Sequence, residues 1–181
     1  MNRNVVITGA GRDRVGIVAD LSEFLYKCGC NLLDSSMTLL RGEFALIVMA
    51  SLPESMKLDD LQQQLFEFGE RWQLMLNVRE ISPCEPAESA VAESTFIIAV
   101  YGADQPGIVA GITRQLADLN LNITDVETKF SGVGDKSIFV MVLEASSSQA
   151  IEAQTLQKQL IERCGIAALD ITVQELESVE L

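Results

Sequence analysis

The residues of this chain best suited to chemistry lie in two similar glycine-rich turns. One turn contains Asp13 and Gly16, and the other contains Asp104 and Gly107 at matching positions. Each turn follows a β-branched apolar run and precedes a helical pattern of apolar residues, so each joins a strand to a helix. The first N–H groups of a helix lack intrahelical partners and carry the positive end of its dipole. We therefore expect each turn to bind a carboxylate or another small anion.

Two asparagines add hydrogen-bonding groups to this pattern. Asn31 and Asn122 begin the strand that follows each helix, and an aspartate together with an asparagine could hold an ammonium group. A zwitterionic amino acid supplies both signs of charge. The glycine and isoleucine positions would contribute backbone N–H groups, so the candidate ligand-binding residues are Asp13, Gly16, Ile17, Asn31, Asp104, Gly107, Ile108 and Asn122.

Structural roles explain the same residues without a ligand. An aspartate just before a helix commonly caps it, and the two asparagines could shape the turn from helix to strand. Glycines that flank the turns would let the backbone approach a ligand closely, and these are Gly9, Gly11 and Gly102. The glycine spacing of the first turn does not match the G-x-G-x-x-G pattern of dinucleotide sites. The residues alone leave capping and ligand binding both open.

The two turns belong to an internal duplication. The glycine of Gly-Ile-Val recurs after 107 − 16 = 91 positions, and the same offset relates Asp13 to Asp104, Asn31 to Asn122 and Asp34 to Asp125. Such a repeat in a chain of 181 residues predicts two domains. We expect the first domain at 1–81, a linker at 82–93 and the second domain at 94–181.

Apolar periodicity predicts the order β-α-β-β-α-β in both domains. Strands are expected at 4–8, 31–40, 44–50, 73–81, 95–101, 122–130, 138–143 and 166–176. Helices are expected at 15–28, 57–70, 107–119 and 148–164, with glycine-rich turns at 9–15 and 131–135. The apolar run 44–50 is typical of a central strand, and Gly29 is placed to end the first helix in the left-handed conformation. This order defines an α+β fold of two tandem ferredoxin-like units, each an antiparallel sheet with two helices on one face.

Composition excludes several functional classes. The formal net charge is −13, which would repel a phosphate backbone, so direct binding to nucleic acid is not expected. No run approaches the roughly 18 apolar residues of a membrane helix, and the N-terminus shows no secretory signal. We therefore expect no membrane association and a cytoplasmic location.

Cysteine and histidine content bears on catalysis and metal binding. The chain has no histidine and four cysteines, Cys28, Cys30, Cys84 and Cys164. The C-x-C pair lacks a second pair, so free thiols are favoured over a zinc site. Without histidine the chain lacks the commonest general base and any histidine-dependent triad. We expect no metal, no cofactor and no catalysis.

Longer segments around the turns carry a resemblance to a known family. The segment Asp104–Val109 (Asp-Gln-Pro-Gly-Ile-Val), followed after a helix by Asn122–Asp125, resembles the signature of ACT domains. Asp13–Val18 and Cys28–Ser36 are similar to the same signature in the first copy. The tandem arrangement, the run from Cys28 to Ser36 and the following Glu43-Phe44 resemble the glycine cleavage system transcriptional repressor family over nearly the whole chain.

This resemblance implies a regulatory protein without catalysis. It implies binding of a small molecule, such as glycine, at interfaces between ACT domains, and regulation of transcription through contact with a DNA-binding regulator. Val15 stands where the family usually has proline, so the first turn is less pre-set than the second. Equal ligand binding by the two turns is therefore not implied.

Two other functions remain as alternatives. ACT units precede the catalytic part of formyltetrahydrofolate deformylases, so the chain could be a regulatory relative that lacks the catalytic domain. It could also be an interaction scaffold whose turns only cap helices. The sequence names neither the effector nor the protein partner, and it leaves a homodimer possible.

Overall fold

The computed structural model describes residues 3–81, 94–132, 137–164 and 169–176. The chain divides into two compact units, Met1–Glu85 and Pro86–Leu181. The predicted linker at 82–93 lies outside the described residues, so the domain boundaries remain a prediction.

The first unit contains four strands and two helices in the predicted order. Their bounds are β1 (Arg3–Arg12), α1 (Ile17–Lys27), β2 (Asn31–Leu40), β3 (Glu43–Leu52), α2 (Leu58–Trp72) and β4 (Leu74–Ile81). The strands form one antiparallel sheet in the order β2-β3-β1-β4. The predicted central position of the apolar run 44–50 is therefore confirmed, and β2 lies at an edge of the sheet.

The second unit repeats this arrangement. Its elements are β5 (Ser94–Ala103), α3 (Ile108–Asp118), β6 (Asn122–Ser131), β7 (Ile138–Ser147), α4 (Ala153–Cys164) and β8 (Leu169–Leu176). The sheet order β6-β7-β5-β8 matches that of the first unit. The predicted fold, two tandem ferredoxin-like units, is confirmed. Of the predicted loop at 131–135, Ser131 ends β6 and residues 133–135 lie outside the described residues.

Each unit has its own core between the sheet and its two helices. In β3 the residues that alternate from Phe44 to Leu52 are buried, and they pack against the apolar faces of α1 and α2. In the second unit the same layer is built around Phe96, Ile98 and Val100 of β5. A two-residue period on strands and a 3.6-residue period on helices explain this burial, because only one face of each element meets the other layer.

The predicted turn at 9–15 is wrong in its first half, because β1 continues through Arg12. Gly9 pairs with Leu46 and Gly11 pairs with Phe44. A Cβ on Gly9 would lie 2.5 Å from Cδ2 of Leu76, and one on Gly11 would lie 2.6 Å from the carbonyl oxygen of Gln73. The missing side chains of Gly9 and Gly11 therefore make room for neighbouring atoms of the protein itself and not for a ligand. Gly102 is likewise a buried strand residue, within β5.

The predicted start of the last helix at 148 is also wrong. Strand β7 extends to Ser147, because Ser147 pairs with Ser94 at the beginning of β5. The Ser147 hydroxyl accepts a hydrogen bond of 3.0 Å from the backbone N–H of Gln149, and α4 begins only at Ala153. Residues 166–168 of the predicted last strand lie outside the described residues.

Candidate functional site

The two glycine turns share one unusual backbone feature. Gly16 and Gly107 are the N-cap residues of α1 and α3, and both adopt the left-handed conformation, with φ of 99° and 97°. Neither helix has a side-chain hydrogen bond to its cap. Capping by Asp13 or Asp104, the structural alternative for these residues, is therefore not observed. Among the residues that the structure describes, no side chain caps the first N–H groups of either helix.

The isoleucine after each glycine can contribute only through its backbone. Ile17 is 1% exposed and Ile108 is 2% exposed, and both side chains pack in their cores. The Ile17 N–H lies 3.4 Å from the carbonyl oxygen of Arg14, which is long for a hydrogen bond. This donor is only weakly engaged within the protein.

The aspartates are fixed by their backbones at the same end of each unit. The Asp13 N–H donates to the carbonyl oxygen of Gly42 at 2.9 Å, and the Asp104 N–H donates to the carbonyl oxygen of Ser137 at 3.2 Å. These bonds tie each glycine turn to the connection between the next two strands. Both aspartate side chains are exposed, so they are available to solvent or a ligand beside the helix N-terminus.

The asparagines lie at the opposite end of each unit. Asn31 begins the ten-residue strand β2, whereas Asp13 contacts Gly42, just beyond the last residue of that strand. Nine steps along a strand span about 30 Å. The same relation separates Asn122 from Asp104. The predicted residues therefore form two separate groups in each unit, and a ligand that touches both groups needs an asparagine from outside the unit.

The two turns differ in what surrounds them. A Cβ on Gly16 would lie 3.4 Å from the Cη2 atom of Trp72, and the Arg14 guanidinium donates a hydrogen bond to Oε1 of Gln73. Trp72 in turn stacks on Phe68 with a centroid distance of 6.2 Å. A Cβ on Gly107 would meet no atom of the described residues within 4 Å. The end of α2 thus closes part of the first turn, while no described residue closes the second turn in this way.

A groove between α1 and β2 is a feature that the sequence reasoning missed. Its cavity measures about 100 Å³ and is lined mainly by apolar side chains, including Val18, Leu21, Leu25, Leu32, Met37 and Leu46. Ser22 and Ser35 place hydroxyl groups in the lining. A comparison of the two copies could have indicated this groove. Ser35 in the first unit corresponds, at 35 + 91, to the larger Val126 in the second unit.

The described cysteines fit structural thiols. Burial raises the pKa of both Cys28 and Cys30, and the Cys28 thiol donates to Oε1 of Gln64 at 3.6 Å. Cys84 and the side chain of Cys164 lie outside the described parts. Within residues 3–81, 94–132, 137–164 and 169–176, no three histidine, cysteine, aspartate or glutamate side chains group as metal ligands. None of the helices in these same ranges is long and apolar enough to cross a membrane.

Comparison with known proteins places these two units in a family. The model of the ACT domain matches residues 3–79 and again residues 94–174. The chain therefore belongs to the ACT domain family and contains the domain twice. ACT domains are regulatory modules that are generally non-catalytic.

Individual relatives match either one unit or the whole chain. A UPF0237 protein of Streptococcus mutans is 32% identical over 74 residues, which are 41% of this chain and 84% of that protein. A UPF0237 protein of Methanopyrus kandleri is 38% identical over 79 residues, 43% of this chain and 83% of that protein. Each alignment has the length of about one unit.

Two solved structures match the chain over 98% of its length. An unknown protein from Galdieria sulphuraria has a TM-score of 0.74 and 26% identity, with its whole chain covered (100%). A proposed glycine cleavage system transcriptional repressor has a TM-score of 0.71 and 20% identity, with 99% of its chain covered. The second likeness shows a shared fold.

Proposed function

We propose that this chain is a non-catalytic regulatory protein that binds an amino-acid effector, such as glycine. The effector's carboxylate binds at the helix N-terminus that follows Gly16 or Gly107, and its ammonium group meets the exposed aspartate and an asparagine. The occupied protein then regulates transcription through contact with a DNA-binding regulator. The chain itself stays off DNA because its net charge of −13 opposes a phosphate backbone.

One observation carries the effector part of this proposal. Both turns place a left-handed glycine at the N-cap and lack a side-chain cap. An aspartate, serine or threonine at that position would satisfy one of the free N–H groups. A glycine leaves the donors to a ligand and lets its carboxylate approach the backbone closely. The feature occurs at the same place in both units.

The transcriptional part is supported by similarity and by charge. The proposed glycine cleavage system transcriptional repressor shares the two-unit fold over nearly the whole chain. An acidic chain suits contact with a protein that itself carries the basic surface needed for DNA. An effector that acts in this way changes the affinity for the partner by a coupling free energy that is typically about 1–3 kcal/mol.

Thermal unfolding with each of the twenty amino acids tests the effector part, starting with glycine and serine. A ligand that binds only the native state at a hundredfold excess over Kd stabilises it by about 2.7 kcal/mol. We expect a selective shift that is lost in Asp104→Ala and Asn122→Ala. Glu175→Ala is the control, because this carboxylate is also exposed but lies on β8 opposite Phe96, near the start of β5 and far from the turn.

Two outcomes would contradict the proposal. If no amino acid shifts the unfolding temperature at millimolar concentration, the effector site is refuted and the interaction scaffold is favoured. If the purified chain alone retards DNA in a gel at physiological salt, the proposed route through a protein partner is refuted.

A further inference from the structure

The end of α1 carries two cysteines that the proposed function does not use. Cys28 is the C-cap of the helix, Gly29 follows it with φ of 74°, and Cys30 comes just before β2. Cys30 is 6% exposed and lies in the core of the first unit. Cys28 packs against the same core but is only partly buried. The turn therefore holds one thiol that solvent reaches and one that it does not.

The second unit builds the same turn without thiols. At the offset of 91 residues, Leu119 and Leu121 stand in place of the two cysteines. The Cys30 N–H donates to the carbonyl oxygen of Leu25 at 3.0 Å, and the Leu121 N–H donates to that of Leu116 at 2.9 Å. Leu121 is 5% exposed, close to the value for Cys30. Because leucine provides the packing and the backbone bonds of this turn, neither requires a thiol.

The turn places the two cysteines within the reach of a disulfide. Gly29 has the left-handed conformation, which mirrors the helical one. A helical residue separates the Cα atoms of its two neighbours by about 5.4 Å, and the mirror image preserves this distance. Disulfides join Cα atoms that are about 4.4–6.8 Å apart. The glycine between the cysteines also gives the backbone freedom to adjust when a bond forms.

We propose that Cys28 and Cys30 are a redox-active pair that closes to a disulfide when a small disulfide oxidant, such as oxidised glutathione, is in excess. The accessible Cys28 thiolate attacks one sulfur of the oxidant, forms a mixed disulfide and releases one thiolate. The Cys30 thiolate then attacks Sγ of Cys28, forms the bond between the two cysteines and displaces the second thiolate. Two protein thiols are thereby oxidised, and the oxidant is reduced to two thiols that take up the two protons.

Closure of the pair changes the beginning of β2. The bond draws Sγ of Cys30 away from its position in the core, and the Cys28 thiol no longer donates to Oε1 of Gln64. A ring closed over a single residue is strained, and strained disulfides are easily reduced. Such a pair suits a reversible switch better than a permanent cross-link. Asn31 is the next residue, so oxidation also weakens the effector response of the first turn, a consequence that rests on the proposed function.

Tryptic mapping tests the pair directly, because trypsin cuts after Lys27 and Arg41 and releases both cysteines in one peptide. The folded full chain is equilibrated with excess oxidised glutathione and then alkylated. We expect the peptide 28–41 to be lighter than its reduced form by two hydrogen atoms and to carry no alkylated cysteine. Excess reduced glutathione restores two alkylated cysteines. Mildly alkaline buffer is used, because burial raises the pKa of both thiols and makes the reactive thiolate scarce.

The second unit supplies a matched variant, Cys28→Leu together with Cys30→Leu. The disulfide restricts the unfolded chain little, since its loop is short, while it disturbs the native core. We therefore expect a lower unfolding midpoint for the native chain in oxidised than in reduced glutathione. The leucine variant should lose this difference, whereas Cys84→Ser and Cys164→Ser should keep it. Circular dichroism confirms that each variant is folded.

Three outcomes would overturn the proposal. The peptide 28–41 could keep two free thiols, it could carry glutathione on either cysteine at equilibrium, or the midpoint difference could persist in the leucine variant. The peptide mass requires no effector. A disulfide without any amino-acid response would therefore refute the effector site alone, and an amino-acid response in a chain that forms no disulfide would refute the redox pair alone.

Discussion

The left-handed glycine before each helix leads to a prediction about stability whose magnitude follows from the structure. Gly107 has φ of 97°, and a Cβ there would meet no atom of residues 3–81, 94–132, 137–164 and 169–176 within 4 Å. Replacement by alanine therefore adds no steric clash with these residues. The whole cost is that of the backbone conformation, which for an L-residue is about 1–2 kcal/mol. We expect Gly107→Ala to lower the free energy of unfolding by that amount.

A second substitution at the same position isolates the cause. Asparagine tolerates positive φ better than alanine does, so Gly107→Asn should destabilise the protein less. At Gly16, with φ of 99°, a Cβ would lie 3.4 Å from Trp72, which is ordinary van der Waals contact. Gly16→Ala should consequently cost about as much as Gly107→Ala.

Equilibrium unfolding in urea measures these differences. The transition should be followed both by circular dichroism and by the fluorescence of the single tryptophan, Trp72, because the two units could unfold separately and Trp72 reports on the first. A loss below a few tenths of a kcal/mol for Gly107→Ala would refute the left-handed N-cap. An asparagine variant no more stable than the alanine variant would refute the backbone explanation.

Three further predictions concern packing, acidity and access. Gly11→Ala should lower the free energy of unfolding by about 1–3 kcal/mol, and by more than Gly9→Ala does. The new Cβ at Gly11 would lie 2.6 Å from a backbone oxygen, which cannot move easily, whereas the one at Gly9 would lie 2.5 Å from the end of a side chain. Urea unfolding measures both losses, and equal losses would contradict this difference in packing. Burial raises the pKa of the Cys30 thiol above its ordinary value of 9.0. The neutral thiol therefore contributes its full stabilisation below pH 9.0, and this stabilisation is lost as the pH rises through the pKa of the native state. The unfolding midpoint should therefore fall less steeply above pH 9.0 in Cys30→Ala than in the native protein. If the midpoints of both proteins fall in parallel with pH, Cys30 is excluded as the source of the pH dependence. Trp72 partly closes the first turn, whereas no residue in the described part of the chain closes the second. An effector should therefore raise the unfolding temperature at concentrations that leave Trp72 emission unchanged, and simultaneous changes would show that both turns fill together.

Local patterns in the chain predicted the elements correctly. The apolar period of three to four residues identified α1, and the left-handed end of that helix at Gly29 is confirmed with φ of 74°. The run around Phe44–Ala50 was correctly predicted as a central strand. These features depend on residues close together in sequence, through side-chain alternation and turn chemistry. The offset of 91 residues then repeated every local inference in the second unit.

Element ends were predicted poorly where a distant strand decides them. Gly9 and Gly11 look like turn residues because glycine is common in turns, yet they continue β1 because β3 and β4 pair with them on both sides. Ser147 likewise stays in β7 because Ser94 lies opposite it. Pairing partners more than thirty residues away supply hydrogen bonds that override local preference.

The sequence by itself determined which residue types could recognise an amino acid and that they occur twice. It also determined the two-unit α+β fold, because periodicity is a local property. Only the tertiary structure decided that Asp13 and Asn31 lie near opposite ends of β2, that Trp72 lies beside the first turn, and that Ser35 lines a cavity beside α1. These facts depend on how the chain folds back on itself, since the distance between two side chains follows from sheet order and packing and not from their separation in sequence.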